Sequence, residues 1–197
     1  MSYKEYPPHP ALTAYIKCFW SIERDFQPLN GALDILPDSC IEMIFNLGSD
    51  CTISDGQSSH LLPDYYLVTL HEKPFRLHAR GILKTIGVRF FAWGLLPFLS
   101  PSFGGEPHIY HLGSTWKSVF HAMTEVEPFQ AVQLLEHHVL TSLYENSSSM
   151  TASNLSSILP FGNEGGFKVA ELAYELSLSK RQLERIFQRQ ARITPKA

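Results

Sequence analysis

The sequence has 197 residues, of which 44% are hydrophobic and 18% charged, and its formal net charge is −3. This composition excludes a disordered or fibrous protein, and no apolar run approaches the roughly 18 residues of a membrane-spanning helix. The chain starts without an apolar stretch behind a basic head, and its three cysteines lack C-x-x-C spacing. We therefore expect a cytoplasmic protein without a disulfide framework and without a membrane partner.

The first half of the chain has the pattern of short strands. Pro10 suits the first position of a short helix that runs to about Tyr15. Beyond it, apolar and polar residues alternate with a period of two, and turn residues separate the segments. Strands are predicted at 16–22, 40–47, 65–70, 75–79 and 82–91, with a polar loop at 48–59. The pattern predicts an antiparallel β barrel or sandwich, with a strand set that would suit a cupin-like fold.

Helical spacing replaces this alternation after Phe91. A short helix is predicted at 92–99 and a loop at 100–113. Ser114 can cap a helix that ends near Val126, and Pro128 suits the start of a second one with apolar residues at helical spacing. Residues 146–166 are rich in Ser, Asn and Gly and predict a linker that holds one short helix. The fold class predicted overall is α+β.

Residues 168–190 combine two helix patterns with a tight turn between them. The apolar stripe of the first helix consists of Val169, Leu172, Ala173 and Leu176. Ser179 suits the N-cap of the second helix, and Gln182 three residues later completes a capping box. Residues 168–197 hold seven Lys/Arg and three Glu, a net charge of +4, which leaves −7 for residues 1–167. A basic end on an acidic body indicates a polyanionic partner.

A support helix, a short turn and a second helix with Arg and Gln at its exposed start are typical of a DNA-reading helix-turn-helix. Arg181, Gln182 and Arg185 have the chemistry to read base edges in the major groove. The predicted DNA-binding residues as a whole are Lys168, Ser179, Lys180, Arg181, Gln182, Arg185 and Arg189. The alternative is a helical hairpin whose charges are only solvated.

Three segments at this end, 169–173 (VAELA), 178–187 (LSKRQLERIF) and 193–196 (ITPK), resemble the first helix-turn-helix of the AraC/XylS family of bacterial transcription regulators. Upstream, 35–45 and 87–90 resemble the sensor domain of one branch of that family. The resemblance implies a homodimeric regulator that binds double-stranded DNA and is controlled by a small organic effector.

The same resemblance implies a domain organisation. It comprises a sensor and dimerisation domain at 1–145, the linker at 146–166 and the first helix-turn-helix at 167–197. Regulators of this family carry a second helix-turn-helix beyond a long linking helix, and this sequence stops at Ala197. We therefore expect an incomplete DNA-binding domain, which by itself binds DNA poorly.

The candidate effector-binding residues are aromatic or charged side chains in or just beyond the predicted strands: Trp20, Glu42, Phe45, Arg89, Phe91 and Trp93. A buried Arg89 must be paired or must await an anionic ligand. Two interpretations stay open, an effector pocket, or an Arg–Glu pair at the surface or between layers with aromatic residues that only fill the core.

The hypothesis that the protein is an enzyme has weaker support than the hypothesis that it is a regulator. His71-Glu72 lacks the second histidine of an H-E-x-x-H motif, and His108 and His111 have no third metal ligand nearby in the sequence. No nucleophile elbow or phosphate-binding glycine loop is present. The sequence therefore predicts a protein that is not an enzyme and needs no cofactor or metal. Two alternatives remain, a stand-alone ligand-binding module without DNA affinity and a small cupin-like enzyme.

Overall fold

A computed structural model describes residues 2–26, 31–38, 40–54, 56, 58–69, 71, 73–91, 94–95, 98, 109–147, 174, 179–182 and 184–185. The strands, in chain order, are β1 (Ser2–Tyr6), β2 (Ile16–Asp25), β3 (Gly31–Ile35), β4 (Cys40–Asn46), β5 (Cys51–Ser54), β6 (Ser59–Leu61), β7 (Tyr65–Val68), β8 (Phe75–Ala79), β9 (Ile82–Phe91) and β10 (Ile109–His111). Short 3₁₀ turns occupy Pro10–Leu12 and Ser114–Trp116, and the helices are α1 (Lys117–Thr124) and α2 (Pro128–Ser147).

The described strands form two antiparallel sheets. The larger has the order β1-β2-β9-β4-β7-β10 and the smaller the order β3-β8-β5-β6. β9 lies inside the larger sheet because it pairs with β2 on one side and β4 on the other. This is the predicted antiparallel β fold with helices after it, and the α+β fold class is confirmed.

Both faces of the larger sheet are buried, which explains why its central strands are so apolar. One face packs against the helices, in a core that includes Phe19, Phe45, Phe90, Trp116 and Leu135. The opposite face packs against the smaller sheet, in a second core that includes Trp20, Ile44, Tyr66, Leu77 and Leu83. Because successive side chains of a strand point to opposite faces, one strand supplies residues to both cores.

Several predicted boundaries are wrong, each for a local reason. The predicted loop at 48–59 contains β5, a strand of only four residues, and the predicted loop at 100–113 contains the three-residue β10. Neither is long enough to show a clear alternation. Ser114 does not cap a helix, because Gly113 holds the cap position of a 3₁₀ turn that leads into α1. The predicted linker begins too early, since α2 continues to Ser147.

Sequence reasoning also missed three strands, β1, β3 and β6. They lie at the edges of their sheets and are largely exposed, so their apolar faces are weakly marked. The predicted helix at 92–99 and the rest of the linker, 148–166, fall mostly or wholly outside the described residues.

The packing of α2 on Trp116 predicts a pH response. The His138 ring meets the buried Trp116 ring edge-on, with 4.8 Å between centroids. Burial lowers the pKa of His138, opposed by Glu145 and helped by His137. The folded state thus favours neutral His138. The stability that neutral His138 contributes is therefore present above the ordinary histidine pKa of about 6.5 and is lost as the pH falls below that value. We expect the drop in Tm between neutral pH and about pH 5 to be smaller in His138→Gln than in the wild type.

The exposed neighbour His137 supplies the control for this experiment. His137→Gln removes an imidazole from the same helix without removing one from the Trp116 contact. An equal change of the acid response in both variants would show that the contact with Trp116 is not its source.

Candidate functional site

A charged cluster lies on the face of the larger sheet that looks toward the smaller one. Arg89 on β9 stands directly opposite Glu42 on β4, and its other neighbour in the sheet is Cys18 on β2. A register shift in β2 between Ile16 and Cys18 sets this alignment. Trp20 and Gly87 form the next pair of β2 and β9 on this face, two residues along each strand, so the indole lies beside the charged row.

Arg89 has three carboxylate neighbours. Its Nε donates to Glu42 Oε1 at 2.8 Å and lies 3.2 Å from Asp38 Oδ2, while Nη1 lies 3.6 Å from Glu5 Oε1. The side chains of Arg89 and Glu42 are only 20% and 15% exposed, whereas those of Asp38 and Glu5 are 40% and 51% exposed. The cluster therefore runs from the solvent inward, and Arg89 is paired rather than awaiting an anion.

Burial and pairing act in opposite directions on these groups. Burial raises the pKa of the Glu42 carboxyl above its ordinary value, and Arg89 lowers it in part through its charge and its hydrogen bond. Burial also lowers the pKa of Arg89, but Glu42, Tyr3 and Asp38 together raise it by more, so the net shift is upward. The Cys18 thiol in the same row has a pKa raised to about 11, chiefly by burial. The cysteine is thus held as an unreactive thiol.

Trp20 closes the inner side of the cluster. The residue is only 7% exposed, and a Cβ placed on Gly87 would lie 2.3 Å from Cε2 and Cζ2 of the indole. Glycine at position 87 is what allows the ring to lie flat on β9. The Trp20 N–H faces Glu42 closely enough to favour its ionised form, yet this buried donor makes no well-formed hydrogen bond.

The structure brings together only some of the predicted effector-binding residues. Trp20, Glu42 and Arg89 lie side by side, and Phe91 follows Arg89 by two residues on the same face of β9. Phe45 does not join them, because it is fully buried in the helix-side core against Trp116. Trp93 lies outside the described residues.

Sequence reasoning missed Glu5, Asp38 and Tyr3 as members of this site. Glu5 and Tyr3 belong to β1, whose exposed pattern concealed a strand, and the Tyr3 hydroxyl donates to Glu5 at 2.6 Å. Asp38 was interpreted only as a turn residue, and it does accept a hydrogen bond from the Cys40 N–H at 3.0 Å. Its place directly before the strand that carries Glu42 was the available signal.

The described part of the basic end bears out the predicted cap. The Ser179 N–H donates to Gln182 Oε1 at 2.9 Å, and the Gln182 N–H donates to Ser179 Oγ at 3.2 Å. These are the two reciprocal bonds of a capping box, and the described residues from Lys180 to Arg185 are helical and exposed. Lys168 and Arg189 lie outside the described residues, as does most of the first predicted helix.

No group of three or more His, Cys, Asp and Glu side chains among the described residues is arranged to hold a metal ion. None of the described helices combines the length and the apolar character needed to cross a membrane.

The charged cluster lies within a segment that matches a known family model. The model is described as a domain of unknown function, DUF6597, and it matches residues 4–103. The chain belongs to the DUF6597 family. No curated protein is significantly similar to it. The match begins within β1 and continues past β9, so it includes Arg89 and its three carboxylate neighbours, but it does not include Tyr3 or the basic end.

Solved structures resemble this DUF6597 chain only loosely. Unsaturated-fatty-acid-bound ToxT from Vibrio cholerae has 10% identity and a TM-score of 0.38, over 90% of this chain and 93% of that one. An HTH_3-family transcriptional regulator from Vibrio cholerae has 14% identity and a TM-score of 0.35, over 45% and 49%. A putative ethanolamine utilization protein Q from Salmonella typhimurium has 7% identity and a TM-score of 0.35, over 45% and 67%. These scores are too low to carry a function over to this chain.

Proposed function

We propose that this DUF6597 chain is the sensing part of a homodimeric, sequence-specific transcription regulator of the AraC/XylS type, with a DNA-reading helix that begins at Ser179. The observation that carries the proposal is the capping box between Ser179 and Gln182. It starts a helix whose described residues are all exposed and include Lys180, Arg181 and Arg185. A helix with a well-defined start and exposed cationic side chains in its first turns suits entry into a major groove.

The proposed division of roles follows from side-chain chemistry. Arg181 and Arg185 can each donate two hydrogen bonds to a guanine, whereas Gln182, whose Oε1 accepts from Ser179, has its amide NH₂ group left to donate to a base edge. Lys180, a flexible point charge, suits a phosphate, as do Lys168 and Arg189. Glu184 is exposed on the same helix as Arg181 and Arg185, and its negative charge opposes binding to phosphates by charge alone.

The β sandwich is the proposed sensor. Its Arg89 cluster combines charged groups at the surface with a buried indole, the mixture of polar and apolar groups that a small-molecule site needs. An effector bound there would shift how two copies of the chain present their helices to DNA half-sites. In this proposal the protein catalyses no reaction.

One arginine and one lysine substitution test the roles proposed for these side chains in DNA binding. Duplexes enriched from a random pool by the purified chain are used in anisotropy titrations at several salt concentrations. A duplex in which the base pair contacted by Arg185 is replaced should bind the wild type less tightly. We expect Arg185→Ala to reduce this discrimination by about 1–3 kcal/mol. We expect Lys180→Ala to weaken binding to all duplexes alike and to reduce the salt slope by about 1.

The exposed Lys17 on β2 provides a matched control, since Lys17→Ala removes the same charge from the sandwich. This variant should bind DNA as the wild type does. If all three variants weaken binding equally for every duplex, the protein's net charge explains the binding and no helix reads bases. Because an incomplete DNA-binding domain binds DNA poorly by itself, the stand-alone ligand-binding module becomes the better description only if no duplex is enriched even at low salt.

A further inference from the structure

The charge of the Arg89 cluster is unbalanced. Glu5, Asp38 and Glu42 supply three carboxyl groups around the single guanidinium of Arg89, a formal charge of −2. Protonation of one carboxyl still leaves the group negative. Since these groups lie between 15% and 51% exposed, an ion from solvent can approach them, and the field it meets attracts cations.

The groups beside the carboxylates indicate an organic cation. The Tyr3 and Trp20 rings lie 6.4 Å apart between centroids, next to the carboxylates, and aromatic faces attract cations. The described residues hold no set of three or more ligands suited to a metal ion. A compact metal would also leave these rings unused.

Trp20 adds an independent requirement. Its indole N–H is buried, makes no well-formed hydrogen bond with the described residues, and lies next to Gly87 in the charged row, 2.7 Å from where a Cβ on that glycine would be. A buried donor without an acceptor costs free energy that a ligand oxygen would recover. On the solvent side of the cluster, Tyr3 of the edge strand β1 is 44% exposed and the Glu5 side chain is 51% exposed.

We propose that the site binds a small organic cation that also carries a hydrogen-bond-accepting oxygen. The ammonium group lies among the three carboxylates, and the oxygen accepts from the Trp20 N–H. This inference rests on the proposed function for its meaning as an effector, but the binding itself does not require DNA.

Four small probes of similar size separate charge from hydrogen bonding. They are 4-amino-1-butanol, butylamine, butyrate and 1,4-butanediol, each titrated to millimolar concentration into the ¹⁵N-labelled chain. The readout is the indole N–H resonance of Trp20, assigned by its loss in Trp20→Phe. We expect 4-amino-1-butanol to shift this resonance with saturation, butylamine to do so more weakly, and the anion and the diol to leave it unchanged.

A pair of aspartate variants locates the binding charge. Asp38→Asn removes one carboxylate from the cluster, and Asp34→Asn removes one from an exposed pair with Arg76 on the smaller sheet. We expect Asp38→Asn to weaken the binding of 4-amino-1-butanol about fivefold. Asp34→Asn should leave it unchanged, because it alters the same net charge at a distance from the site.

The outcomes distinguish this inference from the proposed function. A shift caused by butyrate rather than by the amines overturns the cation assignment, and the site stays an effector candidate. The absence of a saturable shift with all four probes overturns the ligand site itself. Neither result bears on DNA binding by the helix that begins at Ser179, which is measured separately.

Discussion

Replacing Arg89 by Met is expected to lower the free energy of unfolding by about 3 kcal/mol, the lower end of the range for breaking a buried ion pair. Met retains most of the apolar stem, so the loss comes from the carboxylates that remain. The Glu42 side chain, which is only 15% exposed, would be left without its cation and beside the carboxylates of Asp38 and Glu5. Urea unfolding monitored by tryptophan fluorescence measures the change.

Two controls isolate the charge as the cause. The double variant Arg89→Met/Glu42→Gln removes the buried carboxylate as well and should recover most of the lost stability. Arg76→Met removes an arginine from an exposed pair with Asp34, whose side chains are 58% and 60% exposed, and should leave the urea midpoint unchanged. A double variant as unstable as Arg89→Met would attribute the loss to packing.

The pH dependence of the Arg89→Met effect has a defined sign. Burial already raises the pKa of Glu42, and Arg89 opposes that rise. Without Arg89 the folded-state pKa of Glu42 rises further above the unfolded value of about 4.3, so the folded state gains a proton that the unfolded state lacks. The difference in stability from the wild type should therefore shrink as the pH falls from neutral toward about pH 5.

Gly87→Ala is expected to lower the free energy of unfolding by about 1–3 kcal/mol, the usual cost of overpacking a core. The new methyl group would lie 2.3 Å from the Trp20 ring, and that ring is held in the inter-sheet core. The same substitution at Gly113 is the control, because a Cβ there meets nothing closer than Thr115 Oγ1 at 3.9 Å. Gly113→Ala should be close to neutral in the same urea titration.

The cost at Gly87 should depend on the size of the ring above it. In a Trp20→Phe background the smaller ring leaves room for the methyl group, so Gly87→Ala should cost clearly less there. An equal cost in both backgrounds would mean that the clash lies elsewhere, and the close approach of Trp20 to β9 would have no energetic consequence.

The strands that carry the site could be predicted because their residues alternate strongly. β4 places Ile41, Met43 and Phe45 at every second position, the second half of β9 does the same with three apolar residues from Ile86 to Phe90, and Glu42 and Arg89 are charges on the other face. The pairing of these two residues was one of the two open interpretations. Choosing between the two interpretations requires the register between β4 and β9. This register is a long-range property that local sequence does not contain.

Phe45 shows a part of the site that the sequence could have excluded. It lies three residues after Glu42 in the same strand, so a period of two places the two side chains on opposite faces. By contrast, nothing local indicates that Glu5 reaches Arg89, and the place of Asp38 before β4 indicates only that it lies near the strand of Glu42. Both contacts arise only when β1 joins β2 and the segment before β4 passes the end of β9.

The most direct test of the central claim is a titration of double-stranded DNA into the ¹⁵N-labelled chain, because NMR detects binding even when it is weak. The proposed function predicts shifts of the Ser179, Arg181 and Arg185 resonances that weaken as salt is added, with the sandwich resonances unchanged. Shifts confined to the sandwich, or none at any salt concentration, would contradict the assignment of this helix to DNA.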